Sequence, residues 1–310
     1  MLNIIKSYYY DFLFWMGEWQ TSTAKKRALY LSRNGVKSDN ISQFHLMDIY
    51  SSLKSWGGSA NDFAMMEIGK IFSKKTVQIK AASLLGVIVE TRRHPDLAFV
   101  IQNFIENTGY KVQLFHGADN LGFILSTNIK KLIDTGMVTL TGIPLSTLNE
   151  HHYNALFLNI NFWYSIQSRN KILVFQTDSL VCPGSKFEFS EFLHFDYIGA
   201  QWRTRLRPNG TILDGGVGGF SLRDYQMSVD SLLRFPANNW QGGEDDYFAF
   251  HIELIGGKVG NKKDCAKFCT QHVFLEKSIG AHQTSNLGEV DKVKFIAYCP
   301  ESKFLFNQKA

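Results

Sequence analysis

Cysteine is scarce. Four thiols in 310 residues, at Cys182, Cys265, Cys269 and Cys299, are too few and too unevenly spaced for a disulfide framework. Reduced thiols in a cytoplasmic protein are the expectation. Long apolar runs are missing as well. The most aromatic stretch, YYYDFLFWMGEW (8–19), includes Asp11 and Glu18 and falls short of the ~20 apolar residues that span a bilayer. Nothing at the start reads as a secretory signal. The formal net charge of +5 comes from scattered Lys and Arg without a long basic run, which argues against a nucleic-acid partner. The same mild excess suits an anionic small molecule. GGVGGF (215–220) lacks the lysine and Ser/Thr of a phosphate loop, and its spacing does not fit the dinucleotide fingerprint.

What is present points to a folded enzyme-sized chain. Hydrophobic residues make up 45%, and 25 Phe supply a sizeable core. Residues 1–75 read as helical, with apolar positions three to four apart in ISQFHLMDIYSSLKSW (41–56) and DFAMMEIGKIF (62–72). They are expected to be an N-terminal helical appendage, for self-association, peripheral membrane contact or docking the remainder. Residues 76–310 then read as one α/β domain. SLLGVIVETR (83–92), KVQLFHGA (111–118), MVTLTGI (137–143) and KILVFQTDSLV (171–181) are strand-like. LAFVIQNFIENTG (97–109) and the stretch 144–166 between them are helical. That alternation predicts a mostly parallel, Rossmann-like sheet flanked by helices. Ligands of such sheets bind at the carboxyl ends of the strands, where Glu90–Arg92, His116 and Asp178 fall.

Three features carry candidate chemistry. Glu244, Asp245 and Asp246 follow Gly242 and Gly243 and open a helical stretch. Acids there cap a helix and answer its dipole, but three in succession exceed a cap and point in different directions. Trp240 supplies an aromatic wall beside them. Asp178 stands between Thr177 and Ser179 at the end of an apolar run, where a carboxylate needs a partner. His282 offers an imidazole near the end of the domain, so that Asp178, His282 and nucleotide phosphates would complete a shell for Mn²⁺ or Mg²⁺. A weaker cluster, Cys265, Cys269 and His272, falls on one face if the segment is helical; it lacks a fourth zinc ligand and reads better as a core-facing stripe.

GVIVETRRHP, KVQLFHGA, KILVFQTDSLV, FDYIGAQW, GGVGGFSLR, EDDYFA and GAHQ, in that order over residues 83–285, resemble a family of uncharacterised proteins assigned to the GT-A glycosyltransferases. GGEDD with the upstream GGVGGFSL is also similar to β-1,4-galactosyltransferases. The resemblance implies a GT-A-like fold, a nucleotide-sugar donor and a divalent metal at an Asp-x-Asp motif. Gln176-Thr177-Asp178 occupies that motif, with Gln176 in place of the first acid. By the same resemblance Asp178 and His282 ligate the metal, and Asp245 is the base of an inverting transfer. Trp240, Glu244 and Asp246 would contact the acceptor, whether glycan, lipid-linked or protein. Glu90, Thr91, Arg92, Gln176, Thr177, Gly218 and Gly219 would line the donor site; Arg93 is a further candidate for the diphosphate. A retaining transferase and a non-catalytic binding module on the same scaffold are the alternatives.

Overall fold

The computed structural model describes residues 59–72, 84–202, 213–235, 237, 240 and 242–306. Most of the expected N-terminal appendage therefore lies outside the described residues. Its described part is helix α1 (Ser59–Ile71), and this helix is packed on the rest of the protein. Ala64, Ile68 and Phe72 enter a core shared with the sheet, Glu67 Oε2 lies 2.7 Å from His152 Nε2, and Asn161 Nδ2 donates to Phe72 O.

Strands β1 (Leu84–Glu90), β2 (Val112–His116) and β3 (Val138–Gly142) are parallel, and β4 (Lys171–Phe175) pairs parallel on the other side of β1. β7 (Val217–Asp224) then runs antiparallel to β4, and β6 (Tyr197–Ala200) antiparallel to β7. The order is β3-β2-β1-β4-β7-β6, a mixed sheet in which all strands but β7 point one way. This is the fold class expected.

Alternation along the strands explains why both faces are covered. Leu85, Val87, Ile172 and Val174 face one core, with α1, α5 (Glu150–Phe157), α6 (Ile160–Ser165) and α8 (Glu244–Leu254). Leu84, Ile88, Leu173 and Phe175 face the other, with α2 (Leu97–Thr108) and α9 (Lys262–Phe268). Successive side chains of a strand point to opposite faces, so a doubly covered sheet demands continuous apolar runs. Burying them is the main stabilising contribution, at about 25 cal/mol per Å² of apolar surface.

A small second sheet is built from β5 (Ser179–Val181), β9 (Gly280–His282) and β8 (Cys269–Thr270), in the order β5-β9-β8. KILVFQTDSLV is thus two strands of different sheets joined by a turn, and KSIGAHQ (277–283) contains the central strand of the second sheet. Cys265 and Cys269 do not share a helical face, because α9 ends at Phe268 and Cys269 opens β8. The Cys265 thiol contacts the carbonyls of Gly215 and Gly260. No group of three His, Cys, Asp or Glu suited to a metal occurs among the described residues. Nor is any described helix long and apolar enough to cross a membrane.

Candidate active site

Strand β4 ends at Phe175, before its carboxylate. Gln176 N donates to Ser179 Oγ at 3.0 Å and Ser179 Oγ donates back to Gln176 O at 2.7 Å, which closes a tight turn around Thr177 and Asp178. The chain leaves this turn as β5, which pairs antiparallel with β9 so that Ser179 stands opposite His282. This pairing brings His282 to side chains 106 and 104 positions before it: its Nε2 lies 3.1 Å from Gln176 Oε1 and 3.3 Å from Asp178 Oδ1. Gln283 N donates to Asp178 O at 3.0 Å and holds Gln283 at φ 44°, a left-handed conformation that a non-glycine residue adopts at a cost of order 1–3 kcal/mol.

Burial alone would raise the pKa of Asp178, but His282 and the Gln283 side chain outweigh it and hold the carboxyl below its ordinary value. Asp178 is therefore an anion at neutral pH. Its Oδ1 is buried and accepts no aligned hydrogen bond among the described residues. His282 Nδ1 faces Gln271 Oε1 at 3.2 Å, so an Nδ1–H would donate there and leave Nε2 as the lone-pair nitrogen. An orphaned carboxylate oxygen, an oriented imidazole and an amide oxygen form a donor set that fits Mn²⁺ or Mg²⁺. Two ionisable ligands are fewer than an all-protein cage, which suits a cation that brings phosphate and water oxygens with it.

The antiparallel β7 starts at the edge where the parallel strands finish. Phe175 pairs with Phe220, so Gly219 falls beside Gln176. A Cβ on Gly219 would lie 2.2 Å from His282 Nε2 and 2.7 Å from Gln176 Oε1; only glycine lets the strand pass so close. At Gly218 a Cβ would meet Glu244 Oε1 at 2.6 Å. Gly218 N instead donates to Asp245 Oδ2 at 3.1 Å. The two glycines thus join the Asp178–His282 half of the site to the acidic helix start.

The three acids of α8 have separate fates. Glu244 turns inward: it is buried, and both its oxygens bind Arg223, Oε1 at 2.9 Å from one guanidinium nitrogen and Oε2 at 2.5 Å from the other. Arg223 never reaches solvent and lies against the rings of Phe157, Tyr197 and Phe248. Burial pushes the Glu244 pKa up against the opposing pull of Arg223; the same carboxylate raises that of Arg223 despite its desolvation. With both oxygens engaged by Arg223, Glu244, expected as an acceptor contact, anchors α8 to β7. Asp245 and Asp246 remain part-exposed. Asp245 accepts from Gly218 N through Oδ2 and from Asp246 N through Oδ1 at 2.8 Å, so its carboxylate is fixed at the mouth of the helix. Trp240, expected as an acceptor wall, is buried at 4% exposure. Its Nε1 donates to Gly243 O at 2.8 Å and its ring packs on Tyr247 and His251, so it secures the glycine turn from beneath.

At the end of β1, Glu90 is buried and Arg92 is clamped on it, with Nε at 2.9 Å from Oε1 and a terminal nitrogen at 2.8 Å from Oε2. The Glu90 contact raises the Arg92 pKa, and the Asp178 charge adds to it, which places Arg92 in reach of the same site. Arg93 leans instead toward Asp119 O. Thr91 and Thr177 are both buried, and Thr91 Oγ1 has no hydrogen-bond partner among the described residues.

Helix α5 supplies residues that sequence reasoning missed. Asn154 Oδ1 accepts from Glu244 N at 3.2 Å and so caps α8 from outside it. Tyr153 places its hydroxyl near Gln176, within electrostatic reach of both Asp178 and Glu244; desolvation first, then Glu244, drives its pKa up. Arg223 was also overlooked, although a lone arginine in the apolar FSLR strand predicts a buried anion. No sequence signal marks Gln271.

Residues 139–285 match the family described as "Protein of unknown function (DUF5672)". Among curated proteins none matches significantly. Similar solved structures include a mannosyltransferase from Pyrobaculum calidifontis in complex with GDP-Man and Mn²⁺, at 12% identity over 67% of this chain and 64% of that one, with a TM-score of 0.41. A second is described as a putative glucose-1-phosphate thymidylyltransferase from Bacillus anthracis in complex with a sucrose, at 12% identity over 57% and 86% of the two chains, with a TM-score of 0.36. This chain therefore spans a little under two thirds of the mannosyltransferase.

Proposed function

We propose that this protein is a metal-dependent glycosyltransferase of GT-A type, moving a sugar from a nucleotide-sugar donor to an acceptor hydroxyl with inversion. One observation carries the reading: a part-buried anionic Asp178 paired with His282, joined through Gly218 and Gly219 to a fixed Asp245 carboxylate, all at the carboxyl edge of the parallel strands.

Asp178 and His282, with Gln176 beside them, would hold the cation, which when bound supplies countercharge for the departing diphosphate. Arg92 stands at the neighbouring strand end with a guanidinium that has a carboxylate already on one side and exposed surface on the other, as an anion clamp requires. The missing side chains at Gly218 and Gly219 let this strand close on His282, Gln176 and Glu244, which keeps the two halves of the site together. Asp245 accepts the acceptor's proton as the new bond forms, a task that needs a carboxylate within about 3 Å of the hydroxyl. Its two amide donors keep it aimed. Asp246, one position on and part-exposed, would contact the acceptor. Attack from the Asp245 side, opposite the leaving group, inverts the anomeric centre.

The test is a thermal-shift screen of nucleotide sugars with and without Mn²⁺, followed by product NMR, because a ligand selective for the folded state raises its melting temperature. Metal-dependent stabilisation and a product of inverted configuration support the reading; a retained configuration removes Asp245 as base. Gln176 in place of an acid favours a second reading, a non-catalytic nucleotide-sugar-binding module. Stabilisation by a donor that is never consumed with any acceptor would establish it.

A further inference from the structure

Gln271 touches two consecutive side chains that a regular strand would send to opposite faces. It follows Thr270, the last residue of β8, and β8 pairs parallel with β9 so that Thr270 stands opposite Ala281. The pairing thereby delivers Gln271 beside His282. Its Oε1 lies 3.2 Å from His282 Nδ1, and its Nε2 donates to Gln283 Oε1 at 3.3 Å. Neighbours on an extended strand face opposite ways, so one side chain could not reach both if β9 ran on. It ends at His282. Gln283 takes the left-handed conformation, the one non-glycine residue to do so among the described residues, and its carboxamide returns to the side of His282. A strained residue beside a candidate ligand asks for a function.

The direction of these bonds fixes the imidazole. A carboxamide accepts at its oxygen and donates from its nitrogen. With its nitrogen committed to Gln283 Oε1, Gln271 shows His282 only an oxygen. Nδ1 then carries the ring proton, and in the neutral imidazole Nε2 keeps its lone pair. That lone pair faces Gln176 Oε1 at 3.1 Å and Asp178 Oδ1 at 3.3 Å. Three acceptor atoms converge, an arrangement that a divalent cation reconciles. Gln271 is buried, which shields its bond to the ring from competing water. Gln283 also acts on the other candidate ligand, since its N donates to Asp178 O at 3.0 Å.

We propose that Gln271 is a positioning residue for the cation site: braced by the left-handed Gln283, it holds the His282 proton on Nδ1 and keeps Nε2 free to ligate. The strain at Gln283 is on this account what turns its carboxamide to the brace. The inference rests on Asp178 and His282 being the cation ligands.

Two measurements on the full chain test it. Two-bond ¹H–¹⁵N NMR of the metal-free protein reads the His282 tautomer, with His282→Gln to assign the signal, in mildly alkaline solution above the ordinary histidine pKa. Titration with Mn²⁺ alone, followed by loss of the free-ion EPR signal, reads cation binding. The wild type is expected to carry the proton on Nδ1. Gln271→Met should move it to Nε2, which faces two oxygens, and weaken Mn²⁺ binding roughly 10- to 100-fold, the usual effect of losing such a partner. Gln271→Glu still accepts from Nδ1–H and should keep both the tautomer and the binding. Gln283→Gly suits the positive φ but lacks the brace, so it should bind Mn²⁺ more weakly while unfolding cooperatively. An Nε2–H tautomer in the wild type overturns the proposal whatever the variants do. So does an unchanged tautomer or affinity in Gln271→Met, wild-type affinity in Gln283→Gly, or a loss in Gln271→Glu equal to that in Gln271→Met. Absence of Mn²⁺ binding by the wild type overturns the ligand assignment and the proposal with it, an outcome distinct from a wild type that binds and a Gln271→Met that binds equally well.

Discussion

Arg223 on β7 and Glu244 on α8 form a bidentate ion pair that is closed to water on every side. The pair has a positional effect: it pins the first residue of α8, and the next residue, Asp245, then meets Gly218 N. Removing one partner strands the other as an unpaired buried charge. Glu244→Gln is expected to lower stability by about 3–5 kcal/mol. Replacing both at once, Arg223→Met with Glu244→Leu, should restore much of that loss. Urea unfolding of the wild type and the two variants checks this, and a Glu244→Gln protein as stable as wild type would remove the pair from the account.

Asp178→Asn keeps the shape of the turn but removes the anion beside His282. Mn²⁺-dependent stabilisation by nucleoside diphosphates should fall at least tenfold in apparent affinity, and the metal-free protein should melt modestly lower at neutral pH, because the carboxylate's favourable ionisation is lost. The same thermal-shift titration on His282→Gln should behave alike. Retained Mn²⁺ dependence in both would place the cation elsewhere.

For Asp245→Asn, nucleotide binding should persist while transfer drops by roughly 10²–10⁴, the usual contribution of a positioned general base. The amide still occupies the pocket formed by Gly218 N and Asp246 N, so the fold is not at issue. Initial-rate assays beside a binding isotherm separate the two effects. Normal turnover would exclude Asp245 as the base.

Gly219→Ala tests close approach. The added methyl would lie 2.2 Å from His282 Nε2, so imidazole and strand must part. Loss of Mn²⁺ binding with a cooperative unfolding transition is expected. An affinity within twofold of wild type would mean that His282 has room to move.

Acid should destabilise the protein in a defined window. Burial lowers the pKa of His251 from about 6.5 to about 3, and its Nδ1–H donates to Tyr247 O at 2.8 Å. The unfolded chain takes up this proton first, so the contribution to stability is complete above about pH 6.5 and is lost as the pH falls toward 3. At its steepest the slope is about 1.4 kcal/mol per pH unit from this one group. Asp178, with its lowered pKa, acts in the same direction in more acidic solution. Comparing urea unfolding at pH 7 and 5 in wild type and His251→Phe isolates the histidine, and an undiminished difference would refute its role.

The main sheet could be read from the sequence because its strands carry their own pattern. Leu84–Glu90, Val112–His116 and Lys171–Phe175 are apolar on both faces, and the helices between them repeat at three to four residues. The second sheet could not, since β5, β8 and β9 are two or three residues long and depend on pairing partners far away in the chain. The proximity of Asp178 and His282 follows from that pairing alone; sequence reasoning reached it only by matching ligand types and through the family resemblance. Which of Glu244, Asp245 and Asp246 turns inward could not be read either, for a related reason. Neighbours on a helix point about 100° apart, and which one faces inward is decided by Arg223, on another element. Tyr153 and Asn154 were hidden in a segment whose pattern speaks only of packing.

Helix α1 bears on how the protein can be divided. Ala64, Ile68 and Phe72 bury against the same core as Leu156 and Phe157 of α5, and Glu67 reaches His152 on that helix. The helix that carries Tyr153 and Asn154 is therefore braced from behind by α1. A chain cut back to residue 76 would lose this brace and bare an oily patch behind the candidate site. Attempts to obtain a minimal folded fragment by trimming should begin upstream of Ser59.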